Sequence, residues 1–234
     1  MAESIRRLMT FKKHAPFLVL YSLALLGVLL ARAVDMPFLE FFCKPLLMPI
    51  LAAWFWINAQ KPLTVFAKLI LGALFFSWGG DVFLMFQPQG DIFFILGLGS
   101  FLIAHILYII AFLKGIDFQV SFLKKKPFIL IPFLAYAIGL MSLFGNNLGP
   151  MFVPVLAYSS VILIMALAAL NRKGQVNLAS FQLIFFGALI FISSDSMIAL
   201  NKFWQPISFA GVWIMVTYTF AQYLIAKGGL SLEN

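Results

Sequence analysis

The stretch "LTVFAKLILGALFFSWGGDVFLMF" (63–86) decides the fold. At about 1.5 Å of rise per residue it is long enough to cross the ~30 Å hydrocarbon core of a bilayer as one helix. It shows no polar face of the kind a soluble helix needs, and only Lys68 and Asp81 carry charge. The rest of the chain repeats this character. Hydrophobic residues make up 63% of 234 and charged residues 10%, too few polar groups to coat a soluble core of this size. The sequence therefore predicts an all-α, polytopic membrane protein.

Apolar runs of spanning length fall near 16–34, 40–58, 63–86, 91–113, 127–144, 149–170, 178–200 and 207–226, which predicts eight transmembrane helices in a single domain covering 1–234. Breaks between them carry Pro, Gly, Asn or charge, as in "QPQGD", "GNNLGP" and "NRKGQ". The first run follows Arg6, Arg7, Lys12 and Lys13 and ends in Ala31-Arg32-Ala33, a pattern that imitates a cleavable signal peptide. It is long for such a region and further spans follow, so it is read as the first membrane helix.

Loop charges orient the bundle. With a cytoplasmic N-terminus, that side holds Arg6, Arg7, Lys12, Lys13, Lys61, Lys114, Lys124, Lys125, Lys126, Arg172, Lys173 and Lys227, against Arg32, Lys44 and Lys202 opposite. This is a strong positive-inside bias and predicts that both termini are cytoplasmic. It also accounts for the net charge of +8 without nucleic acid as a partner. The run Lys124-Lys125-Lys126 is expected to contact anionic lipid headgroups. Cys43 is the single cysteine and His14 and His105 the two histidines, which argues against a disulfide or a cysteine- or histidine-based metal site.

The third and seventh spans resemble each other. "GALFFSWGGD" (72–81) and "GALIFISSD" (187–195) both run from Gly-Ala-Leu to an aspartate, and Gly97 and Gly211 follow Asp81 and Asp195 at the same interval. A degenerate four-plus-four repeat would explain the likeness. Whatever its origin, each aspartate stands near the non-cytoplasmic end of its helix.

A carboxylate facing lipid costs on the order of 2.5–3.5 kcal/mol, so Asp81 and Asp195 are expected to face the bundle interior. At similar depth they can meet, and mutual repulsion would leave one protonated and one ionised, the arrangement of general acid and general base. The competing expectation is a structural pairing, Asp81 with Lys44 and Asp195 with Lys202. Phe94, Gly97, Phe101, His105 and Tyr108 form one stripe on the fourth helix, in which His105 is either a packing residue or part of a polar cavity. Counted from Asp91, His105 lies about 20 Å inward, deeper than the aspartates at about 7–8 Å. Lys44 suits a phosphate as a point charge and equally suits a snorkelling interfacial lysine. Asp35, Glu40, Asp91 and Lys202 are expected at solvated loop ends.

"KPLLMP" (44–49), "SWGGDVFLM" (77–85), "FFILGLGSFLIAHILYIIAF" (93–112) and "SSDSMIA" (from Ser193 onward) resemble the YhhN family of integral-membrane lysoplasmalogenases over nearly the whole chain. The resemblance implies hydrolysis of the vinyl ether bond of a lysoplasmalogen, a lysophospholipid, to a fatty aldehyde and glycerophosphoethanolamine or glycerophosphocholine. It implies no metal or organic cofactor. Asp81 and Asp195 would be the catalytic pair, with Lys44, His105, Tyr108, Ser77, Gly80 and Ser194 binding substrate. No targeting or retention signal is present, which fits a bacterial inner membrane. Two other classes compete: a small-solute or proton-coupled transporter, since intramembrane Asp and His form relays, and an intramembrane aspartyl protease, whose motifs match only in part.

Overall fold

A computed structural model describes the backbone of residues 2–233 and the side chains of 15–145 and 147–232. Arg6, Arg7, Lys12, Lys13 and His14 therefore have side chains outside the described residues.

Among the described residues every regular element is helical. The chain runs through α1 (Ala2–Ala33), α2 (Pro37–Cys43), α3 (Leu47–Asn58), α4 (Val65–Met85), α5 (Asp91–Leu113), a short α6 (Phe122–Lys125), α7 (Leu130–Phe144), α8 (Phe152–Asn171), α9 (Leu178–Phe203) and α10 (Ala210–Glu233). Local sequence explains the starts. Thr64 caps α4 by accepting from the Ala67 amide at 3.1 Å, Asn177 caps α9 from the Ser180 amide at 2.8 Å, and Pro37 occupies the first turn of α2.

Among the described residues, seven segments are long and apolar enough to cross a membrane: Ala15–Ala33, Pro37–Asn58, Val65–Met85, Asp91–Leu113, Pro127–Phe144, Asn147–Asn171 and Leu178–Phe203. They match seven of the expected spans to within a few residues. The last helix, α10, is equally long but less apolar, because Thr217, Tyr218, Thr219, Gln222 and Tyr223 interrupt it. Three of them face inward rather than lipid: Tyr218, Thr219 and Gln222 are buried.

The second span departs from the expectation of one continuous helix. A single 3-10 turn, Lys44–Leu46, separates α2 from α3. Pro49, four residues on, has no amide to donate to the Pro45 carbonyl, and the indole of Trp78 on α4 donates to that freed carbonyl at 3.0 Å.

The most extensive helix pairings are α9 with α10 and α4 with α5. Small residues permit both. A Cβ on Gly187 would come within 2.8 Å of Ile225, and one on Gly97 within 2.8 Å of Leu84. Gly211 behaves differently from Gly97, since its nearest neighbour is Arg32 on α1. The two glycines that share a sequence interval thus do different packing work. Helix α7 stands at the periphery, its side chains largely facing outward, and it touches α8 lightly.

Candidate active site

Asp81 sits beside a close approach of α4 and α5. Cβ atoms on Gly79 and Gly80 would lie 2.8 Å from the Ser100 hydroxyl and 2.5 Å from the Phe101 ring, so only glycine allows this contact. The carboxylate is 3% exposed and accepts from the Tyr218 hydroxyl of α10 at 2.7 Å. Asp195 belongs to α9, with its side chain 9% exposed, and accepts from the Tyr158 hydroxyl of α8. Ser194 beside it ties α9 to α10 by donating to the Ile214 carbonyl at 3.2 Å.

Both carboxylates line one cavity of about 220 Å³, together with Lys44, Arg32, Ser194 and Tyr218. His105 adjoins it: its Nε2 lies 3.8 Å from Asp195 Oδ2, and its ring packs edge-on against Tyr158 and Phe191. The depth expected from helix ends is corrected here. Helix α9 runs three residues past the expected end at 200, to Phe203, which sets Asp195 about 12 Å inward rather than 7–8 Å. His105 Nε2 nonetheless lies 3.8 Å from Asp195 Oδ2, so counting from helix ends misplaced the histidine relative to the aspartates.

The structural pairings considered from sequence are not those found. Lys202 pairs with Asp91 at 3.5 Å instead of Asp195. Lys44 makes no ion pair with Asp81 among the described residues, although both line the cavity. Lys44 is also no snorkelling residue: the 3-10 turn buries it to 6% exposure. Glu40, expected in solvent, receives both Nε and Nη2 of Arg32 on Oε1, at 3.1 and 2.6 Å. Arg172, counted among the cytoplasmic loop charges, is fully buried and donates to the Phe112 carbonyl and the Ser180 hydroxyl.

The remaining candidates form a layer behind the cavity. Tyr108 donates to Gln222 Oε1 at 2.5 Å, and Gln222 donates on to the Ser77 hydroxyl at 2.9 Å. Gly80 acts through packing against Phe101. Sequence reasoning missed Tyr158, Tyr218, Gln222 and Arg32. The polar run "TYTFAQY" (217–223) inside an apolar helix was a signal for two of them, with Tyr218 and Gln222 one turn apart. Tyr158 carried no such signal.

Two further spaces join the acid cavity by shared walls. An apolar crevice of about 50 Å³ between α5, α7, α8 and α9 shares Leu84, Phe94, Phe101, Asp195 and Ile198 with it. A mouth of about 420 Å³ shares Arg32, Lys44, Leu84 and Gln87 and adds Glu40 and Phe41. Asp81 therefore faces the cationic side, whereas Asp195 also borders the apolar one. A proton donor and a proton acceptor so placed can act on a bond held between a hydrocarbon chain and a charged group.

The sequence pattern of the YhhN family matches residues 39–229. Human lysoplasmalogenase TMEM86B is 31% identical over 80% of this chain and 73% of its own length. Lysoplasmalogenase TMEM86A of Bos taurus is 31% identical over 80% of this chain and 74% of its own, and its Homo sapiens counterpart 34% identical over 68% and 64%. No solved structure matches the chain.

Proposed function

The chain belongs to the YhhN family, and on that footing we propose that it is a lysoplasmalogenase in which Asp195 is the general acid and Asp81 the general base. The observation that carries this reading is the single cavity lined by both aspartates, bordered on one side by apolar walls and on the other by cations. The alkenyl chain lies in the crevice between α7 and α9, and the headgroup points toward Lys44. That orientation puts the vinyl ether between the two carboxylates.

Asp195, bordering the apolar crevice, delivers its proton to the vinyl carbon that bears the alkyl chain. The ether-linked carbon becomes an oxocarbenium ion, which the Asp81 carboxylate stabilises electrostatically. Asp81, opposite Lys44, then takes a proton from water as the water oxygen bonds to that carbon. The hemiacetal so formed breaks its bond to the glycerol oxygen. Its hydroxyl proton ends on that oxygen, releasing aldehyde and glycerophosphoethanolamine or glycerophosphocholine. Glycosidases meet an oxocarbenium-like species with two carboxylates in a similar division of labour. The proton that Asp81 took from water passes across the shared cavity to Asp195 and restores the starting state; no cofactor enters this scheme.

The same reading includes eight membrane spans, α10 being the eighth, with cytoplasmic termini in a bacterial inner membrane. Purified protein incubated with a lysoplasmalogen should release aldehyde, and the saturated ether analogue should remain intact. Asp81→Asn and Asp195→Asn should each lower that release by at least about 100-fold while helical content and melting temperature stay near those of the parent. Full activity in either variant removes that residue from the chemistry.

A further inference from the structure

The mouth beside the acid cavity holds an ordered set of charges that the hydrolytic step does not use. Lys44 is more than nine-tenths buried, lines both the mouth and the acid cavity, and its ammonium has no hydrogen bond or ion pair among the described residues. A buried ammonium left this way is costly, and an anion entering the cavity relieves that cost. Arg32 reaches the same space from the end of α1. Its Nε and Nη2 are taken by one oxygen of Glu40, which leaves Nη1 and the second Glu40 oxygen free of hydrogen bonds among the described residues. A Cβ on Gly211 would collide with Arg32 Nη1, so the guanidinium rests directly on the backbone of α10 at a position only glycine vacates.

Lys44 and Arg32 line both the acid cavity and the mouth, whereas Glu40 lines the mouth and not the acid cavity, so the two cations stand between the acid cavity and the carboxylate. We propose that Lys44, Arg32 and Glu40 form a headgroup site for a phosphodiester carrying a primary ammonium. Lys44 meets the phosphate as a point charge and Arg32 Nη1 donates to a second phosphate oxygen. The free Glu40 oxygen accepts from the ammonium beyond it. A quaternary ammonium offers no N–H to that oxygen, and Phe41 alone is no aromatic cage, so ethanolamine is favoured over choline. This inference rests on the hydrolytic reading for the identity of its occupant.

The test measures binding rather than turnover, so the two readings fail separately. Full-length protein in an uncharged detergent is titrated calorimetrically with glycerophosphoethanolamine, glycerophosphocholine, glycerol 3-phosphate and inorganic phosphate. The parent should bind glycerophosphoethanolamine most tightly. Lys44→Gln should weaken every phosphate ligand at least tenfold, whereas Glu40→Gln should weaken glycerophosphoethanolamine several-fold and leave glycerol 3-phosphate unchanged. Gly211→Ala keeps every charge and displaces only the far end of a flexible side chain, so it should fold normally and weaken the phosphate ligands. Equal affinity for inorganic phosphate and glycerophosphoethanolamine would assign the cations to free phosphate and overturn the headgroup site. Parent-like binding in both Lys44→Gln and Gly211→Ala would overturn it too, even if aldehyde is released. Intact binding with no aldehyde from any lysoplasmalogen would instead sink the hydrolytic reading.

Discussion

His105 Nε2 stands 3.8 Å from Asp195 Oδ2, and neither ring nitrogen of this fully buried histidine has a hydrogen-bond partner among the described residues. The separation is too long for a hydrogen bond but close enough for one to form after a small shift. On the proposed mechanism Asp195 gives up its proton and negative charge develops on that carboxylate. An Nε2–H at this distance would stabilise the charge as it appears, as fixed donors do in oxyanion holes. His105→Gln should therefore lower kcat by about 10–100-fold with KM little changed. Unchanged kcat in a folded variant would make His105 a packing residue only.

The tyrosine hydroxyls supply the other fixed donors. Tyr218 donates to Asp81 at 2.7 Å, and hydrogen bonds to charged groups are worth about 1.5–3 kcal/mol. At about 1.4 kcal/mol per factor of ten, Tyr218→Phe should lower kcat by about 10–100-fold while the melting temperature falls only slightly. Steady-state aldehyde release compared with a thermal unfolding curve separates lost chemistry from lost fold.

Glycines along α4 and α5 make opposite predictions. Gly80→Ala drives a methyl into the Phe101 ring, 2.5 Å away, and should destabilise by about 1–3 kcal/mol as overpacking does. It should also displace the neighbouring Asp81 and cut activity. A Cβ on Gly99 would meet nothing within 4 Å, so Gly99→Ala should be neutral or stabilise the helix by about 0.5–1 kcal/mol. Melting in one detergent, side by side, checks both. A Gly80→Ala protein as stable as the parent would refute the close packing described for α4 and α5.

On the proposed reading, chain selection falls to α7. Ala137 lines the apolar crevice together with Leu140 and Tyr136, and the Tyr136 hydroxyl hydrogen-bonds to Ser196 next to Asp195. Ala137→Phe fills part of that space. KM for long-chain lysoplasmalogens should rise about tenfold or more, consistent with about 0.8 kcal/mol per methylene left unburied, while a short-chain substrate reacts as before. An equal effect on both lengths would place the chain elsewhere.

The membrane character, the boundaries of seven spans and the burial of the two aspartates were legible in sequence. Each rests on a local rule, namely hydrophobic run length, turn-forming residues between runs, and the cost of a carboxylate in hydrocarbon. The α2–α3 break was half visible, since Lys44-Pro45 marks the place, but nothing local says that Trp78 will hold the freed carbonyl. Tyr158 and Arg32 were hidden for a related reason. Their significance depends on what they face across the bundle, with Tyr158 meeting Asp195 from another helix and Arg32 lying on Gly211 from the opposite end of the chain.

What the chain determined by itself is which segments are helical and which polar groups cannot be left facing lipid, because those depend on composition and on bonds made within one segment. Which polar groups meet was decided only by packing. Glycine-permitted contacts between helices and tyrosines reaching across from neighbouring helices bring Asp81 and Asp195 to one cavity and His105 beside Asp195. Such contacts between distant segments separate a shared acid cavity from isolated buried charges.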